Sequence, residues 1–219
     1  APRRGQRLGL KKRASAPATG QICGQGSLIH SSTDYPVNSA ASSRNCPVMK
    51  EIINHLLDIG RGLVVRREHQ AMRRSLDGYR DRGLLTALLP GVYCRPQDAQ
   101  DLGLRVRAVA LHHPDAVITG RAAARFTFWP ELEVKTVEVA RRWHTATAVG
   151  FIFRRRRIPP EWRLTSGGVT FTHPAVTVLD LCAELGGAVI DEALRRRSVS
   201  LAQLWSALTC FTRRRGNRL

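Results

Sequence analysis

Apolar residues fall into no periodic pattern through the first 48 positions of this chain and then become strongly patterned after Met49. Over 50–60, Ile52, Ile53, Leu56, Leu57 and Ile59 make a stripe at i, i+4 spacing, which predicts an amphipathic helix closed by Gly60, with His55 at its boundary. Gly62-Leu63-Val64-Val65 follows, then a basic segment over 66–72 and a second polar segment over 76–82 that ends at Gly83. Residues 84–89, a Pro90-Gly91 turn and Val92-Tyr93-Cys94 read as a hairpin. A helix, two short basic helices and a Pro-Gly hairpin are the order of a winged helix-turn-helix, expected over 49–97.

Beyond it the spacing predicts a helix over 102–112 through Leu104, Val106, Val109, Ala110 and Leu111, ended by Pro114. A short strand or turn at 116–119 leads into a small-residue helix over 120–128 built on Ala122-Ala123-Ala124. Residues 134–140 alternate as a strand, 150–153 form another, and Gly167-Gly168 turns the chain into a strand over 169–172. Pro174 opens a helix that Gly186-Gly187 stops, and a further helix spans 188–197. Ser200 and Gln203 form a capping box for the last helix, whose expected buried face is Leu201, Leu204, Trp205 and Leu208. The class is α+β: the winged unit, then a small mixed α/β domain over 98–210, flanked by a disordered N-terminal tail over 1–48 and a basic tail over 211–219.

Charge changes the picture. Thirty-five Lys and Arg against 17 Asp and Glu give a net charge of +18 on 219 residues, a field that attracts polyanions, with nucleic acid the first candidate. The cysteines Cys23, Cys46, Cys94, Cys182 and Cys210 are scattered without a C-x-x-C pair, which argues against a zinc module or a disulfide framework and for reduced thiols in a cytoplasmic protein. No apolar run approaches the ~20 residues of a membrane helix, and the N-terminus has no apolar signal core. Two readings of 1–48 stay open. Arg3, Arg4, Arg7, Lys11, Lys12 and Arg13 form an arm that adds affinity on phosphates, or the segment is a non-native upstream extension that the fold does not need.

The expected partner is double-stranded DNA. Tyr79, Arg80 and Arg82 are the candidate contacts on the recognition segment, since guanidinium forks match major-groove acceptors. Arg66, Arg67, Arg73 and Arg74 are candidates for the phosphate backbone, and Ser75 for an N-cap whose backbone end suits a phosphate. Asp77 and Asp81 oppose phosphate, and Gly78 lowers helix propensity. Arg154, Arg155, Arg156 and Arg157 form the densest charge run, a patch for phosphates or an acidic partner, or else a solvated strand end. The acid-x-Lys triplet in Glu131-Leu132-Glu133-Val134-Lys135 is read as a solvated strand edge rather than a metal-dependent nuclease centre. His112-His113 is read as a helix-end turn. With no phosphate loop, nucleophile elbow or Cys–His constellation, the expectation is a non-enzyme without catalytic residues, metal, cofactor or small-molecule substrate.

In their order, Gly62-Leu63-Val64, Leu89-Pro90-Gly91-Val92-Tyr93, Arg105-Val106-Arg107-Ala108-Val109, Ala122-Ala123-Ala124 with Trp129, the run from Val169 to Leu181, and Asp191-Glu192-Ala193-Leu194 resemble the AbiEi-type antitoxin and transcriptional regulators common in actinobacteria. The resemblance covers roughly 50–210. It implies a winged helix-turn-helix followed by an α/β antitoxin domain. The implied role is to bind and repress the operator of its own operon and to counter a nucleotidyltransferase-like toxin. Many relatives carry a further domain resembling very-short-patch-repair endonucleases; this chain is expected to lack it, with Arg214-Arg215-Gly216-Asn217-Arg218 as the linker toward it. Two other readings compete. One is a toxin-binding interaction module without specific DNA binding, and the other is a truncated remnant of an endonuclease-bearing relative.

Overall fold

A computed structural model describes residues 47–143 and 148–211; the expectations for the basic arm and most of the C-terminal tail lie outside the described residues. Helix α1 (Pro47–Ile59) begins two residues ahead of the expected boundary, with proline in the first turn, where its missing N–H costs nothing. Only one of its two apolar rows faces inward. Ile53 and Leu57 are buried, whereas Ile52 and Ile59 are exposed. The helix ends in a Schellman turn: Gly62 N donates to Leu57 O at 2.6 Å and Arg61 N to Asp58 O at 3.1 Å. Arg61 occupies the left-handed C′ position at φ 51°. Arg107 secures this turn by donating to Arg61 O at 2.7 Å and to Gly60 O at 2.9 Å.

Strand β1 (Val64–Val65) follows, then two 3-10 turns (Arg66–Glu68 and Gln70–Met72) and α2 (Arg73–Asp81). The expected first basic helix is therefore two single turns, broken at His69, whose φ −120° and ψ 62° are not helical. The second starts at Arg73, ahead of its expected start. β2 (Thr86–Leu89) and β3 (Val92–Cys94) form the hairpin, with Gly91 at φ 76° in its turn. β3 lies between the other two in an antiparallel sheet ordered β1-β3-β2.

Helix α3 (Leu102–His112) occupies the expected residues, capped by Asp101, whose carboxylate accepts from Leu104 N at 2.7 Å. After it come β4 (Val117–Thr119), α4 (Gly120–Thr127), β5 (Val137–Arg141), β6 (Phe151–Arg155), β7 (Arg163–Ser166), β8 (Val169–Thr172), α5 (Pro174–Leu185), α6 (Ala188–Arg195) and α7 (Leu201–Cys210). The second sheet runs β6-β5-β4-β8-β7, parallel at β4/β8 and β5/β6 and antiparallel elsewhere. Strand β5 starts at Val137, so the acid-x-Lys triplet lies in its approach loop, where Glu133 and Lys135 pair at 3.7 Å in solvent.

The period-2 alternation of β4 decides the layering: Ile118 joins α3 and the first sheet, and Val117 joins α5, α6 and α7. Leu88, Leu89, Val92 and Cys94 share one cluster with Val106, Val109 and Ile118, so apolar packing is continuous across the expected boundary at 97/98. A separate cluster of Ile53, Leu57, Leu76, Tyr79, Leu85 and Tyr93 holds α1 and α2 against β3. The Ser200–Gln203 box is present and Leu204 is buried as expected, but Leu201 and Trp205 are corrected to exposed positions. Leu204 and Ala207 turn inward and Leu201 and Trp205 outward, because α7 carries two apolar rows and the core takes the one that fits against α5. Seven α-helices and two sheets make the described chain α+β, and no helix in it is long and apolar enough to cross a membrane.

Candidate nucleic-acid interface

The α2 sequence places Leu76 and Tyr79 one turn apart, and both enter the core at 0% and 6% exposure. Arg73, Arg74 and Arg80 are exposed, with Arg74 on the far side of the helix from that pair and Arg73 and Arg80 flanking it. Tyr79 is thus corrected from a base contact to a core residue, with the Arg82 guanidinium lying 4.6 Å from its ring centroid. Ser75 is corrected as well. The preceding 3-10 turn runs straight into the helix, the N-cap is Met72 without a side-chain bond, and Ser75 is the third helical residue.

Between the 3-10 turns, α2 and the Pro90-Gly91 tip lies a cleft of about 580 Å³. Arg66, Arg67, Arg73 and Arg80 line it with Asp77 among them. Arg66 Nη2 donates to Asp77 Oδ2 at 2.5 Å and its Nε to Oδ1 at 2.9 Å, while the Tyr93 hydroxyl donates to Oδ1 at 2.8 Å. This triad joins the first turn, the helix and the central strand. The Arg66 bond, followed by that of Tyr93, holds the Asp77 carboxyl below the usual range. Burial, then the bond to Asp77, pushes the Tyr93 phenol up.

The other cleft arginines are also anchored. Arg67 Nη2 donates to Leu111 O at 2.6 Å at the end of α3, Arg73 Nη1 to Gln70 Oε1 at 3.0 Å, and Gln70 Nε2 in turn to Arg67 O at 2.9 Å. Arg80 pairs with Asp81 at 2.6 Å and stands 3.9 Å from Asp77. Arg74 is exposed and has no partner among the described residues.

The arginine run around β6 divides by strand alternation. Arg154 pairs with Glu138 at 3.1 Å and Arg156 with Asp180 at 2.7 Å, so these two are internally neutralised. Arg155 and Arg157 are exposed without a partner among the described residues, at the open edge of the sheet. The four-residue patch expected from sequence reduces to two available cations.

Gln70, Asp77, Tyr93 and His112 complete the cleft and were not among the expected contacts. Asp77 carried the one available signal, an acid in a basic segment. Tyr93 and His112 read as strand and helix residues because their approach to Asp77 and Arg67 is purely tertiary. Cys94 is buried behind this surface, and burial raises its thiol to about 11, well away from reactive thiolate character.

Burial, followed by His112 and Arg141, lowers His113 from 6.5 to about 4; burial also lowers His112 and His173. The fold holds these rings neutral, so their contribution to stability is complete above 6.5 and is lost as pH falls below it, that of His113 draining as pH falls through about 4. The lowered carboxyls of Asp77 and Glu192, the latter at about 2, lose their contribution only below their ordinary values of 3.8 and 4.5. The melting temperature is therefore expected to fall between about pH 6.5 and pH 4.5, and His113→Gln to flatten the decline. Thermal melts across that window check this; a pH-independent Tm contradicts it.

No family model and no curated protein matches the chain.

Proposed function

We propose that this chain is a DNA-binding transcriptional regulator that uses α2 as its recognition helix and the β2–β3 tip as its wing. The observation carrying the reading is the solvent face of α2. It offers the unpaired Arg74 and, beside it, Arg73 and Arg80, which with Arg66 and Arg67 of the first 3-10 turn line a cleft that runs to the Pro90-Gly91 tip. The order α1, β1, paired 3-10 turns, α2, β2, β3, with β3 central, supports a winged helix-turn-helix, the turns standing where the first helix of the pair belongs. Repression of its own operon is the specific form proposed, following the resemblance to the AbiEi-type regulators.

Each phosphate neutralised by an arginine releases counterions, so binding must weaken with salt as a power law. The full chain is expected to bind duplex DNA from its own upstream region more tightly than scrambled duplex. Arg74→Ala is expected to weaken binding by roughly tenfold and to flatten the salt slope by about one. Fluorescence anisotropy at several salt concentrations measures both. Equal binding to the two duplexes would leave only a basic surface.

A second reading is favoured by Arg155 and Arg157. Two unpaired cations, one at the end of the edge strand β6 and one two residues beyond it, suit an acidic protein partner, the place a toxin would take in the antitoxin role. It predicts partner binding that Arg155→Ala with Arg157→Ala abolishes while DNA affinity is retained.

A further inference from the structure

The cleft at the foot of α2 is a recess as well as part of a charged surface. Its volume of about 580 Å³ sits within the range of ~300–1,000 Å³ typical of small-molecule sites. Four arginines surround it: Asp77 engages Arg66 and the Tyr93 hydroxyl, Asp81 engages Arg80, and Arg67 and Arg73 carry the charge that no carboxylate offsets. Arg66 is held by a part-buried bidentate bond to Asp77, and Arg67, Arg73 and Arg80 make exposed bonds to Leu111 O, Gln70 and Asp81. A guanidinium has five donors, so every one of the four keeps several N–H groups unspent. Donors positioned beforehand bind an anion without the ordering cost that free surface arginines incur. The walls also include the side chains of Val65 and Pro90 and the half-buried ring of His112, which burial keeps neutral. The recess thus combines a multiply charged anion site with uncharged surface, and its volume exceeds what a single phosphate fills.

From this we infer that the cleft binds a small molecule carrying a polyphosphate group and an uncharged ring system, the chemistry of a nucleoside polyphosphate. The polyphosphate lies along Arg66, Arg67, Arg73 and Arg80, and the body of the ligand rests against Val65, Pro90 and His112. A DNA backbone presents the same phosphate chemistry to the same arginines. If α2 reads DNA as proposed above, ligand and duplex compete for them, and the small molecule acts as an effector that releases DNA; that consequence rests on the DNA reading, whereas the site itself does not.

The test uses the full chain with ATP, inorganic triphosphate and inorganic phosphate as probes, followed by calorimetry, and with a labelled duplex for competition. ATP and triphosphate are expected to bind saturably at one site and phosphate at least tenfold more weakly. Arg67→Ala with Arg73→Ala is expected to weaken ATP at least tenfold while the melting temperature shows the variant folded. Arg155→Ala with Arg157→Ala, which removes the same charge elsewhere, should leave ATP affinity unchanged. Failure of ATP and triphosphate to bind, or equal loss in the two double variants, overturns the site. ATP binding by a chain that binds no duplex upholds the site and refutes the DNA reading, while duplex binding without ATP binding does the reverse. Where both bind, displacement of duplex by ATP supports the effector role and simultaneous binding overturns it.

Discussion

Replacing Gly60 by alanine is expected to destabilise the chain by about 3 kcal/mol or more, among the largest effects of any single methyl group in this fold. A Cβ at this position would stand 1.9 Å from Leu63 O and 3.0 Å from Leu56 O. Both neighbours are backbone, so no side chain can swing away to make room. The same turn carries the Schellman bonds that end α1 and the two carbonyls that Arg107 grips, so moving it disturbs α1 and α3 together. For a chain of this size the melting temperature should drop by roughly 10 °C. Thermal unfolding of Gly60→Ala beside the parent measures it; an unchanged midpoint would contradict the close approach of Leu63 O to this position.

Leu76→Ala is expected to cost about 3 kcal/mol and DNA binding with it. The side chain is 0% exposed and packs in the cluster of Ile53, Leu57, Tyr79, Leu85 and Tyr93. Its removal takes away transfer energy and leaves a cavity between α1, α2 and β3, and α2 owes its position to that cluster. A helix that rocks on a void no longer holds its arginines in one geometry, so affinity should fall even at temperatures where the variant remains folded. Urea unfolding gives the stability change, and anisotropy at low temperature gives the binding. Loss of stability with full DNA affinity would separate α2 from the interface and count against the proposal.

Much of the fold could be read from the chain because local signals coincided with global packing. Pro174 and Gly186-Gly187 bracket α5, Pro114 marks the end of α3, and the Ser200–Gln203 box starts α7. The errors arose where a second apolar row or a distant partner decided the outcome. In α7, Leu201, Trp205 and Leu208 make as good a stripe as Leu204, Ala207 and Leu208, and the small Ala207, which fits flush against its neighbours, was the weaker signal. Tyr79 looks like a recognition residue within its own segment and becomes core only when α1 and β3 close over it. Arg154 and Arg156 look as free as Arg155 and Arg157 until β5 brings Glu138 and α5 brings Asp180. Ser75 is a good cap residue at a place where the helix had already begun. For the cleft, the basic residues were visible and the pocket was not, because Tyr93 and His112 reach it from elements 16 and 35 residues beyond Asp77.

If the chain is the DNA-binding regulator proposed, affinity for DNA resides on the α2 face and is not a product of high net charge alone. Arg74→Glu and Arg155→Glu change the charge equally, and both replace exposed arginines that have no partner among the described residues. Measured side by side at one salt concentration, Arg74→Glu is expected to lose the preference for the chain's own upstream DNA and about tenfold or more in affinity, while Arg155→Glu keeps both nearly intact. Equal, modest losses in the two variants would contradict the account.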